Sequence, residues 1–146
     1  MTEGCVLLVE DSDDDVALTL RAFRKNHFAI EVVVARDGAE ALDWLFGTGV
    51  HVGRDVRRQP HLVLLDLKLP KVDGLAVLER IRADPLTRHL PVVILTSSDE
   101  QRDLVAGYDR GVNSYVRKPV DFAQFMEAIR QLGLYWLALN RTPAQP

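Results

Sequence analysis

The stretch LVLLDLKLPKVDG, residues 62–74, decides the fold. Its first four residues are apolar without alternation, which is typical of a strand buried on both faces of a parallel sheet. A lone carboxylate, Asp66, follows this run directly. Beyond Gly74, apolar residues recur at helical spacing until Asp84-Pro85 ends the pattern. The stretch therefore predicts a buried strand, a turn that carries one acid, and a helix.

Three other apolar runs of the same kind lie at residues 6–9, 30–35 and 92–95, and a weaker strand candidate lies at 114–117. Segments of helical length separate these runs, and a last one follows Pro119. The order is strand then helix, five times over. Because parallel strands need long crossover connections, usually helices, this order predicts a doubly wound α/β fold with right-handed crossovers.

Short polar residues mark three of the predicted helix starts. Ser12 is the expected N-cap of the first helix, with the acids of residues 13–15 in its first turn. The second helix opens at Asp37 or Gly38, and Asp121 is the candidate cap of the fifth. Acids behind a cap usually complement the helix dipole, so we expect residues 13–15 to be mostly a solvated face.

The composition is that of an ordinary soluble domain. The chain has 146 residues and a net charge of −3, which fits one domain over residues 1–146 and argues against a general nucleic-acid binder. No apolar run approaches the roughly 20 residues of a membrane span, and acids stand where a signal peptide is basic. The single cysteine, Cys5, excludes an internal disulfide and is expected to be inert packing. We expect a cytoplasmic protein without nucleic-acid or membrane partners.

Two segments are longer than the alternation of strands and helices requires. The connection at residues 47–60, GTGVHVGRDVRRQP, holds three arginines, which are usually solvated or contact a protein. The lengthened last helix and its tail are more aromatic than a solvent-facing helix end needs to be. A candidate homodimer patch on this helix consists of Leu134, Tyr135, Leu137 and Leu139. The alternative is that Trp136 and its neighbours finish the core, and the sequence leaves both interpretations open.

Chemically active residues follow four of the five predicted strands. Glu10 and Asp11 follow the first strand, Asp66 the third, Thr96 the fourth and Lys118 the fifth. All strands of a parallel sheet point their carboxyl ends at one edge, where ligands bind at the switch point in strand order. Each residue alone is more often a helix cap or a solvated strand end, but together they predict a functional site.

The three carboxylates at this edge predict a bound cation. Clustered carboxylates repel one another unless positive charge lies between them, and Mg²⁺ is a hard cation that takes one or two protein carboxylates. Asp11 and Asp66 are the expected direct ligands, and Glu10 is the expected ligand through water. Lys118 offers a charge and Thr96 a hydroxyl to a phosphoryl group. Asp66 is the candidate nucleophile for an aspartyl phosphate.

Four motifs together resemble the receiver domain of two-component response regulators. They are LLVEDSDDD at 7–15, LLDLKLPKVDG at 64–74, VVILTSS at 92–98 and YVRKP at 115–119. The resemblance covers nearly the whole chain, up to Gly133. It implies a flavodoxin-like receiver fold, with a five-stranded parallel sheet in the order 2-1-3-4-5 and helices on both faces.

The resemblance also implies a role for each matching residue. Asp66 receives a phosphoryl group from a histidine kinase, with Mg²⁺ as the cofactor. At the metal site, the resemblance implies the acidic pair Glu10 and Asp11 and the backbone carbonyl of Lys68 as the third protein ligand. It implies that Lys118 contacts the phosphoryl group, that the small residue Ser97 leaves room for it, and that the bond between Lys118 and Pro119 is cis. Thr96 and Tyr115 are the implied switch pair. The protein is expected to assist only its own phosphorylation and dephosphorylation.

A finer resemblance is to the small regulators partnered with phytochrome kinases in cyanobacteria and other bacteria. It rests on the 47–60 segment and on the W-L-x-L-N-x-x-P tail at 136–143. Lys68 departs from the family, in which a neutral residue such as Asn is common, and its ammonium is expected to alter the phosphoryl lifetime. Because the sequence ends at Pro146, we expect no DNA-binding output domain and signalling through contact with a downstream protein.

Three other functions fit parts of the pattern. The acids within residues 11–15 match the start of a calcium-binding EF-hand loop, but Val16 and Ala22 stand where that loop needs Gly and Glu. A haloacid dehalogenase-type phosphatase also has an Asp at a strand end with Mg²⁺, but Lys68 stands where its second Asp belongs. A receiver that binds its partners constitutively, without phosphate, has no support, because no position of the phosphoryl site is lost.

Overall fold

The computed structural model describes residues 4–143, in which strands and helices alternate along the chain. The elements are β1 Cys5–Val9, α1 Asp13–Lys25, β2 Glu31–Ala35, α2 Gly38–Phe46, β3 Leu62–Leu65, α3 Gly74–Ala83, β4 Val92–Thr96, α4 Gln101–Asp109, β5 Ser114–Arg117 and α5 Phe122–Gly133. A 3₁₀ turn, Gly49–His51, follows α2, and a π-helical turn, Leu134–Leu139, continues α5. Within residues 4–143, no helix has the length and apolar character that crossing a membrane requires.

The five strands form one parallel sheet in the order β2-β1-β3-β4-β5. This confirms the doubly wound architecture and the strand order that the resemblance implied. The order reverses between β1 and β3, because β2 lies on the far side of β1. The carboxyl ends of β1 and β3 are neighbours at this switch point, where Val9 is paired with Leu65. Doubly wound folds place their ligand sites at this position.

The apolar runs fill two cores, one on each face of the sheet. Every residue of β1, β3 and β4 is buried, which explains why these runs do not alternate with polar residues. Successive side chains of a strand point to opposite faces, so Leu7 and Val9 join one core and Val6 and Leu8 join the other. Helices α2 and α3 cover the first core, and α1 and α5 cover the second.

The predicted strand limits differ from the observed ones by one residue at most. Strand β1 begins at Cys5, Ile30 lies just outside β2, and β4 includes Thr96. Cys5 is buried in β1, and this burial raises the pKa of its thiol above the usual value. A buried, neutral thiol agrees with the expectation of inert packing.

The predicted helix caps are found, with one difference. The Ser12 hydroxyl accepts a hydrogen bond from the Asp15 N–H and caps α1. Asp37 caps α2 in the same way. Asp121 occupies the N-cap position of α5, but its side chain makes no capping hydrogen bond. Its main-chain carbonyl instead accepts the hydrogen bond from the Phe125 N–H at 3.0 Å.

Segment 47–60 folds around the side chain of Arg54. The guanidinium stacks on the Trp44 ring, 3.7 Å from its centroid, and donates to the main-chain carbonyls of Trp44 and Leu45 in α2 and of Asp55 and Arg58 in the segment itself. The expectation of solvated or partner-binding arginines is wrong for Arg54. A guanidinium has five N–H donors in a rigid fork, and α2 and the turns of this segment together supply the acceptors.

The tail after α5 divides between the core and the surface. Trp136 and Leu137 pack against the core beneath α1 and α5. Leu134, Tyr135 and Leu139 are 43%, 50% and 71% exposed. The interpretation that this segment finishes the core is therefore confirmed for Trp136 and Leu137, whereas the homodimer patch stays a prediction. Two residues finish the core, and three members of the candidate homodimer patch remain at the surface.

Candidate functional site

The polar residues that follow β1, β3 and β5 meet at the carboxyl edge of the sheet. Glu10 and Asp11 extend from β1, and Asp66 extends from β3, its neighbour in the sheet. One carboxylate oxygen of each of these three residues lies within 4.8 Å of the other two. Parallel pairing of β1 with β3 explains this proximity, because both strands end at the same level.

Lys118 inserts its side chain among these acids from the end of β5. Its Nζ lies 2.5 Å from Glu10 Oε1, 2.8 Å from Asp15 Oδ2 and 3.3 Å from Asp66 Oδ2. The Lys118 side chain is only 13% exposed. Burial disfavours its charge, but the hydrogen bonds with Asp15 and Glu10 and the charge of Asp66 outweigh burial, so the pKa of Lys118 lies above its ordinary value. Lys118 is a fixed cation at the centre of the site.

Glu10 is the most buried acid of the cluster, with 3% of its surface exposed. Burial raises the pKa of its carboxyl, and repulsion from Asp66 adds to this effect. The hydrogen bond from Lys118 opposes the increase without cancelling it. The Ser12 N–H donates to the second oxygen, Oε2, at 3.2 Å. Glu10 therefore has both oxygens engaged, whereas its neighbour Asp11 is exposed.

Asp66 is held in place by the backbone around it. Its Oδ1 accepts a hydrogen bond from the Leu67 N–H at 2.7 Å. The Gly74 N–H donates to the Leu67 carbonyl at 2.9 Å, which closes the loop between β3 and α3. A Cβ atom on residue 74 would lie 2.2 Å from the Asp66 carbonyl oxygen, so only glycine permits this approach. The sequence signal for Gly74 was its place at the end of the LLDLKLPKVDG motif.

Hydroxyl residues lie at the end of β4 and in the loop that follows it, which Tyr115 contacts. Thr96 is buried, with 1% exposure, whereas Ser97 is exposed. The Tyr115 hydroxyl donates to the Ser98 carbonyl at 2.9 Å, and burial raises the pKa of this phenol. Tyr115 thus links β5 to the loop between β4 and α4. The two residues of the expected switch pair lie on the neighbouring strands β4 and β5.

One peptide bond near the site departs from the expectations. The structure contains no cis peptide bond within residues 4–143, so the expected cis bond between Lys118 and Pro119 is wrong. A bond before proline favours the trans form by about 0.5–1 kcal/mol, and Lys118 reaches the acids with this bond trans. Lys68 is exposed and follows Asp66 in the loop, and its N–H lies 3.5 Å from Asp66 Oδ1.

Asp15 is the site residue that sequence reasoning missed. We expected residues 13–15 to be a solvated face, and this is wrong for Asp15, which contacts Lys118. Asp13 instead pairs with exposed Arg36, and Asp14 is exposed. Helical spacing gave no signal for Asp15, because Asp11 precedes the N-cap Ser12 and lies outside α1.

The donor set fits a hard divalent cation. Glu10, Asp11 and Asp66 each offer one carboxylate oxygen, and such oxygens are the ligands that Mg²⁺ and Mn²⁺ prefer. Lys118 is the cation that contacts this cluster, and it also neutralises Asp15. The remaining negative charge favours an additional cation at the cluster.

The fold and this site define a class of signalling domain. The chain matches the response regulator receiver domain over residues 6–130, and it therefore belongs to that family. Receiver domains are the signalling domains of two-component systems. Histidine kinases phosphorylate them, and they bind a divalent metal ion.

Three relatives show how far the similarity extends. FilR2, a probable methanogenesis regulatory protein of Methanothrix harundinacea (strain 6Ac), is 42% identical over 138 residues, or 94% of this chain and 86% of that protein. The phosphorylated cyanobacterial phytochrome response regulator RcpA has a TM-score of 0.89 at 34% identity, covering 97% of this chain and 99% of that one. The bacteriophytochrome response regulator AtBRR is 53% identical, with a TM-score of 0.74, covering 97% and 100%. The chain resembles two phytochrome response regulators over nearly its whole length.

Proposed function

We propose that this protein is a single-domain response regulator, residues 1–146, whose Asp66 accepts a phosphoryl group from a histidine kinase with Mg²⁺ as cofactor. The observation that carries the proposal is the Lys118 ammonium, which lies 3.3 Å from Asp66 and 2.5 Å from Glu10. An acceptor carboxylate beside one fixed cation and further acids is the arrangement that metal-assisted phosphoryl transfer requires. Membership of the receiver family supports the same chemistry.

The proposed reaction forms one bond and breaks one. A carboxylate oxygen of Asp66 attacks the phosphorus of a phosphohistidine, and the P–N bond breaks with its electron pair left on the imidazole. The Leu67 N–H fixes the orientation of the Asp66 carboxylate. Lys118 donates to one phosphoryl oxygen and Thr96 to another.

Residues around Asp66 complete the proposed metal site. Mg²⁺ held by Asp11, Asp66, the Lys68 carbonyl and, through water, Glu10 would neutralise charge between the acceptor and the phosphoryl group. No enzymatic activity is proposed beyond the protein's own phosphorylation and dephosphorylation. The exposed Lys68 is two residues from Asp66 along the chain, and its ammonium is proposed to alter the lifetime of the phosphoryl group.

The proposed kinase is of the phytochrome type. The similarity to RcpA and AtBRR, both named as phytochrome response regulators, supports this partner. The 47–60 segment and the tail after α5 also resemble this group of regulators. Similarity to FilR2 shows that the same fold also serves a protein named for a different pathway.

The proposed output is a contact with a downstream protein in the cytoplasm, without nucleic-acid or membrane binding. Phosphorylation adds a charge of about −1.5 to −2 and draws the Thr96 hydroxyl toward Asp66. Tyr115 then leaves the Ser98 carbonyl and turns inward. Ser97 is small enough to leave space for the phosphoryl group. The surface formed by α4, β5 and α5 changes as a result.

Intact mass after acetyl phosphate treatment tests the acceptor. We expect the wild-type protein to gain one phosphoryl group only when Mg²⁺ is present. Asp66→Asn should gain none, because an amide is not a nucleophile for this transfer. Asp14→Asn is the matched control, since it removes the charge of an exposed acid near the site and should phosphorylate like the wild type.

The same mass assay tests the kinase. An autophosphorylated bacteriophytochrome histidine kinase should transfer its phosphoryl group faster than a kinase of another sensor class. Phosphorylation of Asp66→Asn would assign the acceptor to another residue. A wild-type protein that accepts no phosphoryl group from either donor and binds no beryllofluoride would be a constitutive binding module instead.

A further inference from the structure

Asp15 is fixed by its own helix with its carboxylate turned to the phosphoryl site. It lies in the first turn of α1, where its N–H donates to the capping Ser12 hydroxyl at 3.3 Å. Its carbonyl accepts a hydrogen bond from the Thr19 hydroxyl at 2.8 Å. The carboxylate Oδ2 then lies 2.8 Å from Lys118 Nζ, a contact between α1 and the end of β5.

The three carboxylates around Lys118 use its full hydrogen-bonding capacity. An ammonium has three N–H donors, and Glu10, Asp15 and Asp66 are three acceptors within 3.3 Å. Glu10 and Asp66 also belong to the cluster that fits a cation, whereas Asp15 does not. Among the three partners of Lys118, Asp15 is thus the one that is neither a candidate cation ligand nor the candidate phosphoryl acceptor.

We propose that Asp15 is a positioning residue that holds part of the Lys118 charge and so sets the balance between cation binding and phosphoryl binding. This inference rests on the proposed function of the site. While Asp15 holds one N–H of Lys118, the ammonium neutralises less of the negative charge of Glu10 and Asp66. The charge that remains on these two carboxylates favours the binding of a cation. The same contact competes with a phosphoryl oxygen for Lys118, and the charge of Asp15 repels that oxygen.

Removal of the Asp15 charge should therefore move two affinities in opposite directions. In Asp15→Asn, the Mg²⁺ dissociation constant should rise about two- to fivefold, because the Asp15 carboxylate is partly exposed and its effect is screened. At saturating Mg²⁺, the dissociation constant of beryllofluoride, which mimics the phosphoryl group, should fall by a similar factor. Calorimetric titration with Mg²⁺ and ¹⁹F NMR titration with beryllofluoride measure the two constants.

Two variants separate this effect from general charge and from structural damage. Asp14→Asn removes the same charge one residue earlier, from an exposed position, and should leave both constants near the wild-type values. Asp15→Glu keeps the charge and should restore most of the Mg²⁺ affinity.

The outcomes distinguish the inference from the proposed function. Weaker binding of both Mg²⁺ and beryllofluoride by Asp15→Asn would show a structural role and overturn the inference, as would equal effects of Asp14→Asn and Asp15→Asn. Unchanged constants in Asp15→Asn would overturn it as well. A wild-type protein that binds neither probe would overturn the proposed function itself.

Discussion

At the scale of the residue, Gly74 decides whether Asp66 can keep its position. A Cβ at this residue would lie 2.2 Å from the Asp66 carbonyl oxygen and 2.7 Å from Leu67 Cα. Both atoms belong to the backbone, so the loop between β3 and α3 has to move. We expect Gly74→Ala to lower the free energy of unfolding by about 1–3 kcal/mol and to slow phosphorylation by acetyl phosphate. Urea unfolding and intact mass measure the two effects.

Gly107→Ala is the matched control for this substitution. The nearest atom to a Cβ there is Ile94 Cδ1 at 3.0 Å, the mobile end of a side chain, and residue 107 lies within helix α4. It should leave phosphorylation unchanged. Equal stability and equal phosphorylation in Gly74→Ala and the wild type would show that the loop accommodates the extra atom.

At the scale of the element, Arg82 ties α3 to two loops. Its guanidinium donates to the carbonyls of Arg88, Leu90 and Gly111 and to the Asn113 side chain, at 2.8 to 2.9 Å. Lysine cannot reproduce this fork of donors. We expect Arg82→Lys to cost about 1–3 kcal/mol of stability in urea unfolding, because most of the four hydrogen bonds of the guanidinium are lost.

Arg80→Lys, at an exposed position of the same helix, is the control for the Arg82 substitution. It also keeps the charge and should shift the unfolding midpoint far less. A shift in Arg80→Lys as large as that in Arg82→Lys would mean that the charge of α3, and not the fork of hydrogen bonds, sets the stability.

The elements themselves were predictable, and the long-range polar contacts were not. The runs at 62–65 and 92–95 are buried strands. Each is a continuous stretch of apolar residues, so the sequence alone was sufficient to predict it. Arg82 reaches Gly111 and Lys118 reaches Asp15, pairs far apart along the chain. No periodicity reports such contacts, because they depend on which loops the completed sheet brings together.

The candidate site shows the same division. Its strand-end residues were predictable, since a parallel sheet collects the carboxyl ends of its strands. Asp15 was missed because it reaches the site from a helix face. Arg54 was misjudged because its acceptors are main-chain carbonyls, which carry no signal in the sequence.

At the scale of the whole molecule, three exposed apolar residues of the tail predict self-association. Leu134, Tyr135 and Leu139 lie at the surface, while Trp136 and Leu137 anchor the same turn to the core. We expect the protein to form a homodimer through this face, and Leu139→Ser to shift it toward monomer in sedimentation velocity. Point substitution is preferable to truncation, since truncation would also remove the core contacts of Trp136.

Val52→Ser is the control for the dimer prediction, because Val52 is equally apolar and 78% exposed but lies in segment 47–60. It should leave the sedimentation coefficient unchanged. A wild-type protein that sediments as a monomer at every concentration tested would contradict the prediction.

The folded segment 47–60 leads into the start of β3, at the amino edge of the sheet, while the acids and Lys118 occupy the carboxyl edge. The length of β3 therefore separates the loop that Arg54 organises from the chemistry at Asp66. Changes in the length or composition of this loop can therefore alter the amino edge of the molecule without disturbing its reactive centre. The loop is thus free to vary among related proteins while the same reaction is inherited.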